Sequence, residues 1–324
     1  MDSINLDPAM YESLLPWLLE GEPWVRYRTL TDLLRRKPDD SEVEAARNAV
    51  PDHQLIRPIL ARQKRNGWWG RKKDLHTWWP KNNTTFWLVG TLADFGLTIE
   101  DEHVSRACAC IFDTQLESGG FLGYNPDQAA DCHTGILTES LAKAGKIGDA
   151  RLERAYRWLR SRQRLDGGWW CKDTGQPGRP REAEPSCALA TMFVLGAFAH
   201  HPRLQKSDVA RRGVEFMLGC WEKRGTIKYA GHDSQIGTNW GKLKYPYTDY
   251  RILKYLDVVS RFPHVRGDRR VREMAGILVS KRGPVGRYTP ESIHKVWHKF
   301  DFGQKKNPSR WITALALGVV RRIL

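Results

Sequence analysis

Long apolar runs are missing from this 324-residue chain. No apolar stretch reaches the roughly 18 residues that a membrane-spanning helix needs, so the sequence predicts no transmembrane helix. The segment Met1–Asp7 is polar and acidic, unlike a secretory signal peptide. Glycine (28) and proline (17) are present at ordinary levels, which excludes collagen-like and low-complexity chains. Six cysteines without a secretory signal indicate thiols or metal ligands rather than a disulfide framework, so we expect a cytoplasmic protein.

Tryptophan and positive charge are in excess. The chain has 14 tryptophans, and its 52 Lys and Arg against 37 Asp and Glu give a net charge of +15. Such an excess suggests a polyanionic partner, such as phosphate groups, nucleic acid or an anionic membrane surface. The basic residues are spread over separate short clusters, however, and a solvated basic exterior is the simpler interpretation.

Apolar residues recur with helical spacing along almost the whole chain, and no segment shows the alternation of a half-buried strand. The sequence therefore predicts an all-α fold of roughly twelve helices. The predicted helices lie near residues 8–19, 23–34, 51–63, 84–95, 101–115, 132–144, 149–162, 186–199, 207–221, 247–261, 268–281 and 309–323.

One spaced motif recurs in the chain: a glutamine, three residues, a glycine, one residue and an aromatic. The complete copies are Gln63, Gly67 and Trp69; Gln115, Gly119 and Phe121; and Gln163, Gly167 and Trp169. Each copy ends one helix and precedes a polar loop and a more apolar helix, so the repeating unit is a helical hairpin of roughly 50–60 residues. The glutamine can bond loose backbone groups of the next repeat, the glycine permits a tight turn and the aromatic seals the gap.

This motif resembles the Gln-Trp repeat of squalene-hopene cyclases and oxidosqualene cyclases, and more broadly the superfamily of protein prenyltransferase β-subunits. Residues 154–169 carry the closest copy, and segments 24–28 and 308–313 look like those of a small bacterial squalene-cyclase-like group. The resemblance implies one α/α toroid of five to six hairpins over residues 1–324. Residues 1–50 would form an N-terminal helical pair and linker, and residues 51–324 the repeats. Inner helices would surround a central cavity, with their N-termini at one mouth.

The catalytic tetrapeptide of the cyclases, Asp-x-Asp-Asp, is absent from this sequence. Protonation of an alkene by that route is therefore not expected. Without that acid, the resemblance still implies a toroid that binds an isoprenoid, or another apolar or phosphorylated ligand, in its cavity. If the protein is an enzyme, the resemblance implies a transferase or lyase of the prenyltransferase or cyclase kind. It also implies that a partner subunit is possible.

Prenyltransferase β-subunits hold zinc near the starts of inner helices, so the resemblance points to a set of candidate metal ligands. The set is Asp131, Cys132, His133, Cys171 and Cys187. Cys132 and Cys187 lie where inner helices are predicted to begin, and a helix N-terminus lowers the pKa of a thiol. Zinc needs four ligands, usually thiolates and imidazoles. The adjacent Asp-Cys pair departs from the prenyltransferase pattern, so reactive thiols and closely packed buried thiols are the alternative interpretations.

The loops before the inner helices combine aromatic and basic residues, which would face the mouth of the toroid. The candidate substrate-binding residues are Trp78, Trp79, Lys81, Trp240, Lys244, Arg310 and Trp311. Aromatic rings can line an apolar pocket or stabilise a carbocation. Basic groups beside helix N-termini could hold a diphosphate.

Two other functions stay open at this point. A basic helical repeat could bind nucleic acid, although no helix-turn-helix or zinc-finger signature is present. A carbohydrate-active toroid would use Asp131 and Asp249 as acid and base across a groove. Its aromatic platforms for the sugar would be Trp78, Trp79, Trp240 and Tyr247. Asp131, Tyr247 and Asp249 are therefore the candidate catalytic residues.

Overall fold

The computed structural model of the protein describes residues 8–71, 74, 84–123, 127–171, 181, 183–226, 240–248 and 251–324. Within these ranges there are thirteen α-helices and no β-strand, only two isolated β-bridges. The predicted all-α class is confirmed. In the same part of the chain, no helix is long and apolar enough to cross a membrane.

The α-helices are α1 (Pro8–Leu19), α2 (Pro23–Arg28), α3 (Ser41–Asn48), α4 (Arg57–Ala61), α5 (Thr85–Asp94), α6 (Glu102–Phe112), α7 (Asp131–Leu141), α8 (Ala150–Ser161), α9 (Ala188–Phe198), α10 (Asp208–Glu222), α11 (Ile252–Val259), α12 (Arg269–Ser280) and α13 (Arg310–Ile323). π-Helical turns extend α2 over Thr29–Leu33 and α7 over Ala142–Lys146. Short 3₁₀ turns lie at Leu204–Lys206, Pro263–Val265, Lys295–Trp297 and Asp301–Gly303.

Inner and outer helices alternate along the chain and form an α/α toroid. Helices α5, α7, α9, α11 and α13 contact one another in succession, and α13 also packs on α1 and α2. Trp24 of α2 stacks on Phe95, at the end of α5, with ring centroids 5.1 Å apart, which closes the ring. Helices α6, α8, α10 and α12 each pack on a neighbouring inner helix from outside.

Burial separates the two layers. Every residue of α7 and α9 is buried, whereas α8 buries only one face, made of Leu152, Ala155, Tyr156 and Leu159. A Cβ at Gly135 of α7 would lie only 2.8 Å from backbone atoms of α9, so the glycine lets these two inner helices pack closely.

Each motif glutamine joins two neighbouring hairpins. Nε2 of Gln163 donates to the carbonyl of Gly167 at 2.9 Å and to that of Val209, on α10, at 2.7 Å. Oε1 of Gln163 accepts from Arg212. Gln63 and Gln115 make the same pair of backbone bonds, with the next outer helix supplying the second carbonyl.

A second recurring bond connects each motif to the inner helix that follows it. The backbone N–H of the aromatic residue donates to a threonine hydroxyl in the first turn of that helix. In the three complete copies the pairs are Trp69 and Thr85, Phe121 and Thr134, and Trp169 and Thr191, at 2.9 Å. Tyr288 and Thr313 make the same bond at 3.0 Å in a degenerate copy that keeps only Gly286 and the aromatic Tyr288.

Two predicted helices are shorter in the structure, and one helix was not predicted. Over residues 51–63 only α4 is helical, because Pro58 can sit only in the first turn of a helix and disfavours helix before it. Over residues 247–261 the helix begins at Ile252. Helix α3 was missed because only Val43 and Ala46 of it are buried, so it has almost no apolar stripe.

Candidate functional site

Four residues predicted to lie at the mouth, Trp78, Trp79, Lys81 and Asp249, are outside the described residues. Their proposed roles in substrate binding and catalysis stay predictions.

The two other predicted mouth tryptophans are packed inside the protein. Trp240 is 6% exposed and lies against Trp221, with ring centroids 4.5 Å apart. Trp311 is completely buried, and its ring lies 5.3 Å from the rings of both Phe95 and Tyr245. Both rings thus form part of the core.

The two predicted basic groups are also engaged or buried. Nε of Arg310 donates to the carbonyl of Trp17 at 2.8 Å, and its guanidinium lies over the Trp17 ring, so it ties α13 to α1. Lys244 is buried. The described residues therefore do not place these two cations together at an open mouth.

The predicted metal-ligand group brings two sulfurs together. Sγ of Cys171 lies 3.0 Å from Sγ of Cys132, and the backbone N–H of Cys132 donates to Sγ of Cys171 at 3.5 Å. Cys187 instead caps α9, where its sulfur accepts from the backbone N–H of Ala190 at 3.4 Å.

The remaining two members of that group have other partners. Asp131 is completely buried and forms an ion pair with Arg162 at 3.4 Å. The ring of His133 packs on Phe86, and its Nδ1 lies 3.4 Å from the carbonyl of Leu122. Asp131 is thus enclosed, and its role as the acid or base of a carbohydrate-active site stays a prediction.

In the described part of the chain, no group of three or more His, Cys, Asp or Glu side chains is arranged so that it could hold a metal ion. The five residues as placed do not fit a zinc ion, and zinc binding stays a prediction from the sequence. For Cys187, the expected lowering of the thiol pKa is wrong. Burial raises the pKa of Cys187 to about 12. The hydrogen bond to Cys132 and burial raise the pKa of Cys171 well above its usual value.

The centre of the toroid holds a charged cluster that the sequence reasoning missed. Glu139 of α7 accepts two bonds from Nζ of Lys254 of α11, at 2.6 and 2.8 Å. Lys143, one turn after Glu139, lies 3.2 Å from Glu139 and 2.8 Å from Asp94 of α5. The hydroxyl of Tyr245 donates to the other oxygen of Asp94 at 3.0 Å. We call Asp94, Glu139, Lys143 and Lys254 the central cluster.

The central cluster borders a small cavity. Its volume is about 30 Å³, room for one or two water molecules. Its walls include the aromatic rings of Phe86, Trp87, Phe193 and Tyr247. The hydroxyl of Tyr247 is buried and has no hydrogen-bond partner among the described residues. A buried polar group without a partner is costly, so this phenol is free to take a hydrogen-bond partner.

Opposite charges fix the ionisation of the cluster. Burial disfavours the charged form of Glu139, but Lys143 and Lys254 outweigh it and lower the pKa of Glu139 to about 2. Burial likewise opposes the charge on Lys143, but Asp94 and Glu139 raise its pKa. Burial lowers the pKa of Lys254 despite its bonds to Glu139. Lys254 is therefore the lysine of the cluster that gives up its proton more readily.

The arrangement combines aromatic walls, a fixed ion-pair floor and one unsatisfied phenol. It can bind a small polar group, with apolar surface around it, and Lys254 is the basic group nearest to losing a proton. The sequence carried a signal for the cluster, because Glu139 and Lys254 are charged residues among apolar neighbours in helices whose residues are all buried.

A model of the squalene-hopene cyclase C-terminal domain matches residues 78–262, more than half of the chain. Enfumafungin synthase of Hormonema carpetanum is 29% identical over 157 residues, which cover 46% of this chain. The matched region spans only 11% of that enzyme's length.

Several solved structures align with almost the full length of the chain. A type II terpene cyclase, MstE from Scytonema, solved with merosterolic acid A, is 14% identical with a TM-score of 0.43, covering 97% of this chain and 96% of that one. An alpha-1,6-mannanase from Salegentibacter is 12% identical with a TM-score of 0.49, covering 98% and 99%. A protein from Actinoplanes is 16% identical with a TM-score of 0.47, covering 97% and 98%.

Proposed function

Because the chain belongs to the squalene-hopene cyclase C-terminal domain family, we propose that it binds an isoprenoid-type ligand at the centre of its toroid. The ligand carries a hydroxyl or carbonyl group, and this group bonds the phenol of Tyr247. The observation that carries the proposal is that Tyr247, whose buried hydroxyl has no partner among the described residues, lines the aromatic-walled cavity.

The chemistry of the walls and floor suits such a ligand. The rings of Phe86, Trp87 and Phe193 offer apolar surface, and their π faces favour contact with hydrocarbon or with a partial positive charge. The cavity of about 30 Å³ accommodates only the polar end of the ligand. The predicted residues Trp78, Trp79 and Lys81 remain our candidates for holding the rest. Cyclisation started by an Asp-x-Asp-Asp acid is not part of the proposal, since that tetrapeptide is absent.

Paired ligands test the role of Tyr247. Tryptophan fluorescence is titrated with geranylgeraniol and with a hydrocarbon of matching length, using the wild type and Tyr247→Phe. Loss of one hydrogen bond should weaken binding of the alcohol about threefold to tenfold and leave binding of the hydrocarbon unchanged.

Tyr156→Phe is the matched control, because the hydroxyl of Tyr156 bonds the carbonyl of Ala197, on α9, at 3.2 Å, outside the cavity. It should leave both affinities unchanged. Absence of binding by the wild type, or equal weakening of both ligands by Tyr247→Phe, would reject the proposal.

A further inference from the structure

Six arginines line a single cleft outside the central cavity. They are Arg35, Arg261, Arg266, Arg272, Arg321 and Arg322. The cleft has a volume of about 790 Å³ and lies where α11 and α13 end, close to the π-helical turn that extends α2. The negative end of a helix dipole favours cations there, which helps to gather these side chains.

The floor of the cleft is two guanidinium groups sharing one carboxylate. Arg261 donates to Oδ1 of Asp257 at 3.0 Å, and Arg322 bonds the same oxygen. Nε of Arg322 also donates to the hydroxyl of Ser260 at 3.1 Å. These bonds hold both arginines in place but leave them with more positive charge than Asp257 can balance. Burial and the neighbouring Arg261 lower the pKa of Arg322, as expected where like charges crowd.

The rim adds four arginines that have no carboxylate partner among the described residues. Arg321 bonds the hydroxyl of Tyr11 at 3.2 Å, and Arg272 bonds the carbonyl of Gly267 at 2.8 Å. Arg35 and Arg266 are exposed, and no hydrogen bond or ion pair of their side chains occurs within the described chain. Arg35 has a φ of 53°, a left-handed conformation that is unfavourable for a residue with a Cβ.

We propose that this cleft binds a small ligand carrying two or more phosphate groups. Guanidinium groups present paired N–H donors that match phosphate oxygens, and several of them together neutralise a multiply charged anion. A cleft of this size matches a small molecule. No aromatic side chain lines its described part, so it lacks the stacking platform that single-stranded nucleic acid uses.

Calorimetry with inorganic diphosphate tests the proposal on the full-length protein. The wild type should bind diphosphate more tightly than monophosphate, and its affinity should fall as salt rises. The double variant Arg35→Ala, Arg266→Ala removes the two unpartnered rim groups, and its affinity should be at least about tenfold lower. Thermal unfolding should be little changed, because both side chains are exposed and make no contact that holds the fold.

The matched control is Arg65→Ala, Arg160→Ala, which removes the same charge from exposed positions outside the cleft. Its affinity should change less than about twofold. Absence of diphosphate binding, or equal losses in the two double variants, would overturn the proposal. So would binding only to an oligonucleotide, or only to vesicles that contain phosphatidylinositol bisphosphate, because neither is a small free ligand.

Discussion

At the scale of single residues, burial and the helix dipole act in opposite directions on the thiol of Cys187. The N-terminus of a helix stabilises a thiolate by about 0.3–1 kcal/mol at exposed sites, and by about 2 kcal/mol in favourable partly buried ones. Removal of a charged group from water can shift a pKa by several units. Burial wins for Cys187, which is 9% exposed. A sequence shows that a cysteine starts a helix, but not how completely neighbouring helices cover it.

The first prediction follows from that burial. All six cysteines are free and buried, so iodoacetamide at pH 8 should modify the native protein slowly. In denaturant, all six should react within minutes. Mass spectrometry of the labelled peptides measures this. Rapid labelling of Cys171 or Cys187 in the native protein would show that one of these thiols is exposed or ionised.

Asp301 gives a prediction about pH. Its Oδ2 accepts from the hydroxyl of Ser309 and from the N–H of Trp311, while its buried Oδ1 has no partner among the described residues. Burial raises the pKa of Asp301 from 3.8 to about 6. The folded state therefore holds this proton more tightly than the unfolded chain does. The contribution of this group to stability is full below pH 3.8 and is lost as the pH rises through 6.

The variant Asp301→Asn should remove this dependence. Relative to the wild type, its free energy of unfolding should rise by up to about 3 kcal/mol between pH 4 and pH 7. Urea denaturation at several pH values measures the difference. Asp52→Asn is the control, because the side chain of Asp52 is 85% exposed. A constant difference between Asp301→Asn and the wild type at all pH values would contradict the prediction.

At the scale of elements, the motif glutamines connect the ends of outer helices to the next outer helix along the chain. Gln163→Leu removes two donated bonds, to Gly167 and Val209, and one accepted from Arg212. It also leaves carbonyls unpaired in a partly buried joint. We expect the free energy of unfolding to fall by about 2–4 kcal/mol. Gln54→Leu, at an exposed position, should change it by less than about 0.5 kcal/mol. Equal effects of the two changes would contradict the role of Gln163 in joining neighbouring hairpins.

The sequence predicted most of the helices because inner and outer layers differ in apolar pattern. The predicted helix boundaries were wrong where local chemistry overrode that pattern, as at Pro58. Helix α3 was not predicted because so few of its residues are buried. The motif glutamines were visible from their spacing. The threonines that bond the motif aromatics, such as Thr191 with the N–H of Trp169, could not be predicted. The sequence does not show which distant N–H a threonine hydroxyl in a helix accepts from.

At the scale of the whole molecule, the ring brings together charges that the sequence keeps far apart. Glu139 and Lys254 are 115 positions apart, yet they form a buried ion pair across the toroid. Only Glu139 and Lys143, one helical turn apart, could have been paired from the sequence. The basic cleft has the same origin, because the closure of the ring sets Arg35 beside arginines from the last third of the chain. Part of the net charge of +15 is thus concentrated by the fold rather than spread over the surface.

The ion pairs of the central cluster should stabilise the fold, because they connect helices that the closed ring brings together. Glu139→Gln leaves Lys143 and Lys254 buried with Asp94 as their main counter-charge, so we expect unfolding to become easier by about 3–5 kcal/mol. Adding Lys254→Met removes the excess charge and should restore at least about 1 kcal/mol, which a double-mutant cycle in urea measures.

The pH dependence of Glu139→Gln gives an independent check of the same interaction. Because the pKa of Glu139 is lowered from 4.5 to about 2, its contribution is present above pH 4.5 and is lost as the pH falls toward 2. The wild type should therefore lose its advantage over Glu139→Gln in that range. Glu12→Gln, at an exposed position, should leave the profile unchanged. Additive effects of Glu139→Gln and Lys254→Met, with no change in the acid profile, would mean that the pair does not hold the centre of the toroid together.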